Sequence, residues 1–294
     1  MNYIEMTELK PLLSLLDDPS EEIFQSVSKK LLQQGSAAIS ELTLAWEQST
    51  NPLLQNRLEN IIDEIEFQDL YNLFKTWLAN KDGEYVYGIF LLEKILYPGL
   101  DYIQFLDNFN KVYKAVWLEI NDYLTPIERV KLINRVLFTN LKFKGENSKK
   151  TSGVDYSVSR LLKTKNGSQY SLALLYLALA QKLDFPIFGT ALQSHSILCY
   201  KKNTLPQHAP EDEVNQSTSF FIYPFYDGAI YGRKYLEIQL TDPLKEFNTN
   251  LLDPISNNNF LKNTLISLSN TLINNNFKAK HNKVERILTL FEGV

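Results

Sequence analysis

Apolar side chains recur at helical spacing through the first 140 residues or so. Asp18-Pro19-Ser20-Glu21 reads as a helix start, with Asp as the cap, Pro at the first helical position and Glu on the first turn. Ile23, Phe24, Val27 and Leu31 follow on one face, and Gly35 is the expected stop. Ile39, Leu42, Ala45 and Trp46 form a second stripe. Asn51-Pro52 repeats the cap-then-proline device ahead of Leu54, Leu58, Ile61, Ile62 and Ile65. The two Asx-Pro starts lie 33 residues apart, a spacing that suggests helical repeats of the HEAT kind. Phe67, Leu70, Phe74, Trp77 and Leu78 share a further face, and Asp82-Gly83 marks a turn. Residues 85–96 are apolar on all sides and predict a buried helix. Residues 102–120 predict another. Thr125-Pro126-Ile127-Glu128 is a capping box opening a helix through Val130, Ile133, Val136 and Leu137.

The texture changes at residues 142–154, a polar, basic, glycine-containing stretch that reads as a loop or junction. A short helix over 157–163 follows. Next come Asn166-Gly167-Ser168-Gln169-Tyr170-Ser171 and an apolar helix over 172–183. Residues 185–190, 196–200 and 220–225 have strand character, while 201–217 is a polar excursion between two of them. Asp227-Gly228 signals a turn. Helix resumes near Arg233, and helices over 257–275 and 280–291 close the chain. Helices, then a helix with antiparallel strands, then helices is an α+β order. The expected division is a helical repeat-like region at 1–80, a core with its leading helices at 81–250, and a C-terminal helical pair at 251–294.

Composition narrows the function. The chain of 294 residues is 44% hydrophobic and 22% charged, enough apolar material for a sizeable core. A net charge of −4 argues against a general nucleic-acid binder. With Cys199 the only cysteine, a disulfide framework and a multi-cysteine zinc site are excluded. No run approaches the roughly 18 apolar residues of a membrane span. The opening MNYIEMTELKPLL carries acids early and does not read as a secretory signal, so a cytoplasmic protein is expected. Neither a cofactor, a metal nor a membrane partner is implied. The asparagine clusters Asn257 to Asn259 and Asn274 to Asn276 read as compositional bias.

The segment from Gly167 to Tyr200, with Phe220 to Gly228, holds the candidate chemistry. A glycine turn enters an apolar helix, the strand after it holds a histidine, and a further strand ends in Pro-Phe. A thiol at a helix N-terminus is acidified by the positive end of the dipole. A histidine on a facing strand serves as its base, and an acid on the next strand orients the imidazole. The stretches Asn166 to Tyr176, Ala180 to Gly189, His195, and Phe220 to Phe225 with Gly228 resemble, in order and spacing, the transglutaminase-like superfamily. The similarity is to its SirB-type bacterial branch, to which Leu15 to Pro19 and Val116 to Asp122 are also similar. The resemblance implies a papain-like helix-plus-sheet core.

Carried over residue by residue, the resemblance removes much of the family chemistry. The nucleophile position, second after the turn glycine, is Gln169. The base position is His195, flanked by Gln193-Ser194 and Ser196. The acid position is Tyr223. The resemblance therefore implies a non-catalytic protein acting in interaction or regulation, with an unidentified protein or peptide partner. Two alternatives stand beside it. One is a hydrolase or amidase in which Ser168 or Ser171 attacks with His195 as base, against the ordinary role of both serines as helix caps. The other is a peptide- or ligand-binding cleft edged by Gln169, His195, Tyr223 and the aromatics Phe225, Tyr226, Tyr231 and Tyr235. Cys199 lies four residues after His195 and reads as a dyad partner or, more ordinarily, a small buried hydrophobe. His208 reads as solvated loop and His281 as a solvated helix start. Lys142, Lys144, Lys149 and Lys150 either dock an acidic partner or belong to an ordinary junction.

Overall fold

The computed structural model describes residues 11–80, 83–146, 153–192, 195–201, 218–240 and 248–293. The chain divides into two compact units, one up to Thr76 and one from Trp77 onward.

The first unit is helical: α1 (Glu21–Gln34), α2 (Ile39–Gln48) and α3 (Pro52–Ala79), the last crossing the boundary. Ser20, not Asp18, caps α1. The Asp18 carboxylate accepts instead from the Ser20 N–H at 2.8 Å, a local turn that leaves the helix dipole to the serine. Gly35 ends α1 at φ +61°, a conformation that favours glycine. The two apolar stripes between Leu54 and Leu78 lie on one continuous helix, because no residue between Ile65 and Phe67 breaks it. Val27, Leu31, Leu42, Leu58, Ile61 and Ile65 build the core of this unit. The Arg57 guanidinium donates to the carbonyls of Leu16 (2.7 Å) and Asp18 (2.8 Å) and lies over the Phe24 ring, which holds the entering chain against α1 and α3.

In the second unit α4 (Tyr85–Leu96) is buried on nearly every side, as its apolar sequence requires. Trp77 packs against Gly88, where a β-carbon would come within 2.3 Å of the indole. The next helix is α5 (Tyr102–Trp117), capped by Asp101. Then comes α6 (Pro126–Asn134), opened by the Thr125–Glu128 capping box and continued by a π-helical turn over Arg135–Asn140. The basic stretch contains a strand, β1 (Lys144–Gly145), paired in parallel with β2 (Asn166–Gly167). Between them lies α7 (Val158–Thr164). Helix α8 (Gln169–Lys182) is buried without a break from Ser171 to Ala180.

The remaining strands form one antiparallel sheet: β3 (Ile187–Thr190), β4 (Leu198–Lys201), β5 (Thr218–Tyr223), β6 (Ala229–Tyr231) and β7 (Pro254–Ile255), in the order β6-β5-β4-β3-β7. The short strands β6 and β7 are absent from the hydrophobic pattern, because two or three residues carry too little alternation to register. Helix α9 (Arg233–Leu240) follows β6, and α10 (Asn257–Asn274) with α11 (Lys278–Leu288) closes the unit. Helix α10 packs on β3, where a β-carbon on Gly189 would lie 2.0 Å from the Phe260 ring. The fold is thus α+β with an antiparallel sheet, as the sequence order implies.

A buried carboxylate joins α4 to the segment that carries the site. Glu93 accepts from the Ser157 hydroxyl (2.9 Å) and the Ser159 N–H (2.8 Å), satisfying the start of α7. Burial pushes its carboxyl above the ordinary range, and the bonds from Ser159 and Ser157 oppose that rise. A carboxyl raised in the folded state binds more protons there than in the unfolded chain. Stability is therefore expected to fall as pH rises from the ordinary carboxylate value through the raised one. Glu93→Gln is expected to flatten that dependence relative to wild type, measured by denaturant melts across pH. Parallel curves for the two proteins would refute it.

Candidate functional site

The site begins at the turn into α8. At Gly167, the last residue of β2, a β-carbon would come within 2.6 Å of the Ser171 hydroxyl and 2.7 Å of Leu161, so a larger residue would have to displace both side chains. Ser168 is the helix cap. Its hydroxyl accepts from the N–H groups of Tyr170 (3.2 Å) and Ser171 (3.4 Å) and donates to the Asp155 carbonyl. The Ser171 hydroxyl is buried and donates back to the Ser168 carbonyl at 3.3 Å. Both candidate serine nucleophiles are thus engaged with backbone. Gln169 is the first residue of α8, half-buried, at the positive end of the helix dipole.

His195 lies just before β4 and Tyr223 ends β5, neighbouring strands of the antiparallel sheet. Their rings meet edge to face with centroids 6.2 Å apart. Burial lowers the His195 imidazole below its usual value. Tyr223 is pushed up to about 12, first by burial and then by the phenols of Tyr226, Tyr231 and Tyr170. Two of the three positions from the family resemblance, His195 and Tyr223, are therefore in ring contact.

Aromatic rings extend from Tyr223 toward solvent. Tyr226 meets Tyr223 at 4.9 Å and Phe225 at 5.2 Å, both edge-on. Tyr231 stacks on Tyr235 at 5.0 Å. Tyr226 and Tyr235 are both more than half exposed.

One residue without a mark in the sequence holds this turn in place. Asn134, the last residue of α6, accepts from the Tyr176 hydroxyl (3.0 Å) and donates to the Gly228 carbonyl (2.7 Å). Asp227 and Gly228 both have positive φ, and a β-carbon on Gly228 would overlap the Asn134 carboxamide at 2.0 Å. Asn134 therefore fixes the aromatic turn after β5 onto α8. The only sequence signal for it is the Asp227-Gly228 turn, whose partner lies 94 residues away.

Cys199 faces the core between Phe221 and Ile197, fully buried, and burial pushes its thiol up to about 12. That is the behaviour of a small hydrophobe. His281 is half-buried, which departs from the solvated helix start expected of it. The helical pair folds its Nδ1 against the Ser269 hydroxyl at 2.7 Å, and that hydroxyl donates in turn to Glu285. Ser269 is only 2% exposed, so this set ties α10 to α11. Gln193, Ser194, His208, Lys149 and Lys150 lie outside the described residues. Among the described residues no three His, Cys, Asp or Glu side chains converge as a metal site. No helix among them is long and apolar enough to cross a membrane.

A glycine turn into a buried helix, followed by a histidine and an aromatic strand end on one antiparallel sheet, defines a class of protein. The chain belongs to the transglutaminase-like superfamily, whose family model matches residues 103–265, from α5 into α10. Neither a curated protein nor a solved structure matches it.

Proposed function

We propose that this is a non-catalytic member of the superfamily, of the SirB-type branch, that works through protein interaction or regulation. The observation that carries this reading is Gln169 at the head of α8. The helix entrance is where a cysteine would be activated, and a carboxamide there has no nucleophile. The Ser168 and Ser171 hydroxyls are engaged with backbone, which speaks against a serine replacement. Tyr223, held protonated by burial, cannot stabilise an imidazolium as a carboxylate does. The first unit serves in this reading as a repeat-like helical scaffold, a role supported by its successive helices packed around one apolar core.

The exposed faces of Tyr226 and Tyr235 favour a second, compatible reading, in which the aromatic surface around Tyr223 and His195 holds a peptide or small ligand by ring contacts. The first reading is tested by turnover. Wild type and His195→Ala are assayed for ester hydrolysis, amide hydrolysis and amine transfer to a glutamine peptide. Both are expected to match the buffer rate. Turnover in wild type that is lost in His195→Ala would overturn the proposal.

A further inference from the structure

Away from the His195 site, α5 and α7 enclose an open cleft of about 330 Å³. Leu100, Phe105 and Leu162 supply its apolar lining, and Ser159 adds a hydroxyl-bearing side chain. Its walls carry the carboxamides of Gln104 and Asn108 and the ammonium of Lys163. Ile103, next to Gln104 on α5, is 70% exposed and adds apolar surface to that helix. Lys111 donates to the Asn108 carboxamide at 3.1 Å, bringing a second cation to the lip.

Charge selects the occupant. Lys142, Lys144, Arg160, Lys163 and Lys165 outnumber Glu146 and Asp155 over the described part of β1, α7 and the turn into β2, in a chain whose net charge is −4. Arg160 is paired with Glu146, but among the described residues Lys163 and Lys111 make no ion pair. On the α5 side, Asp101 is occupied in capping the helix through the Gln104 N–H, and Asp107 is outnumbered by Lys111 and Lys114 on the helix itself. A carboxamide carries both a donor and an acceptor, which matches the backbone of an extended peptide. A nucleic acid would call for exposed rings to stack its bases, and the one ring in the cleft, Phe105, is buried.

We propose that the α5–α7 cleft docks an acidic, hydrophobic peptide segment of a partner protein, its carboxylates on Lys163 and Lys111 and its apolar side chains on Leu100, Phe105 and Leu162. The site rests on the interaction reading above for its biological sense and gives that reading a partner chemistry.

The test is a fluorescence-anisotropy titration of the full-length protein with a synthetic peptide that interleaves glutamate with leucine and phenylalanine. Saturable binding that weakens with added salt is expected. Lys163→Glu is expected to weaken it about tenfold or more, since a like charge then faces the peptide, and Asn108→Ala by a smaller factor. A flat titration, equal binding by Lys163→Glu, equal binding of a lysine-for-glutamate peptide, or equal competition by single-stranded RNA or by hexanoate would each overturn the proposal. Turnover dependent on His195 would overturn the non-catalytic reading and leave this one standing, so the two fail separately.

Discussion

Gln169→Cys is expected to react with iodoacetamide at neutral pH at least about a thousandfold faster than the native protein, which should label only after denaturation. Cys199 is the only native thiol, it is fully buried, and burial pushes it up to about 12. Its thiolate fraction at neutral pH is then on the order of one in 10⁵, whereas a helix N-terminal thiol with a pKa near ~7 is about half ionised. Position 169 is half-buried and opens α8, so a thiol there meets both the reagent and the positive end of the helix. The adduct is read by mass spectrometry of the intact chain and its peptides. A Gln169→Cys thiol no more reactive than that of a free cysteine would mean that the helix entrance has lost its activating field. Fast labelling of native Cys199 would contradict the packing around β4.

Tyr176→Ala is the second large effect. Tyr176 is fully buried on α8, and its hydroxyl donates to Asn134. Removing the ring is expected to cost about 3–5 kcal/mol, through lost apolar contact and the cavity left behind. Tyr176→Phe keeps the ring and strands the Asn134 carbonyl oxygen, for a cost of about 1–3 kcal/mol. Both are measured by denaturant unfolding. The phenylalanine variant should also loosen the turn after β5, because Asn134 joins Tyr176 to Gly228. That shows as a changed fluorescence or NMR environment at Tyr223 and Tyr226. An alanine variant within 1 kcal/mol of wild type would refute the packing argument.

The two effects differ in how far the sequence announces them. Gln169 stands out by its place after Gly167, and it does sit on the first turn of a buried helix, as the spacing demands. Asn134 does not stand out, because its partners are distant in sequence and neither has a periodic signature. His281 makes the same point from the other side. Its neighbours Lys278 and Lys280 suggest a solvated start, and only the folding of α11 back onto α10 brings it to Ser269.

What the sequence alone determined is what depends on neighbours within a turn or two. The buried helix over residues 85–96, the Thr125 capping box, the stop at Gly35, the glycine turn into α8 and the three longer strands of the sheet are all local, because caps and apolar periodicity record local hydrogen bonding and burial. The α+β class followed from the order of those elements. Only the tertiary structure decided which side chains meet: His195 with Tyr223, Asn134 with Gly228, Glu93 with the start of α7, and Cys199 with the core instead of a histidine. Those contacts close long loops, and the free energy that holds them comes from burying α8 against the sheet and its flanking helices. No short window of sequence carries that information.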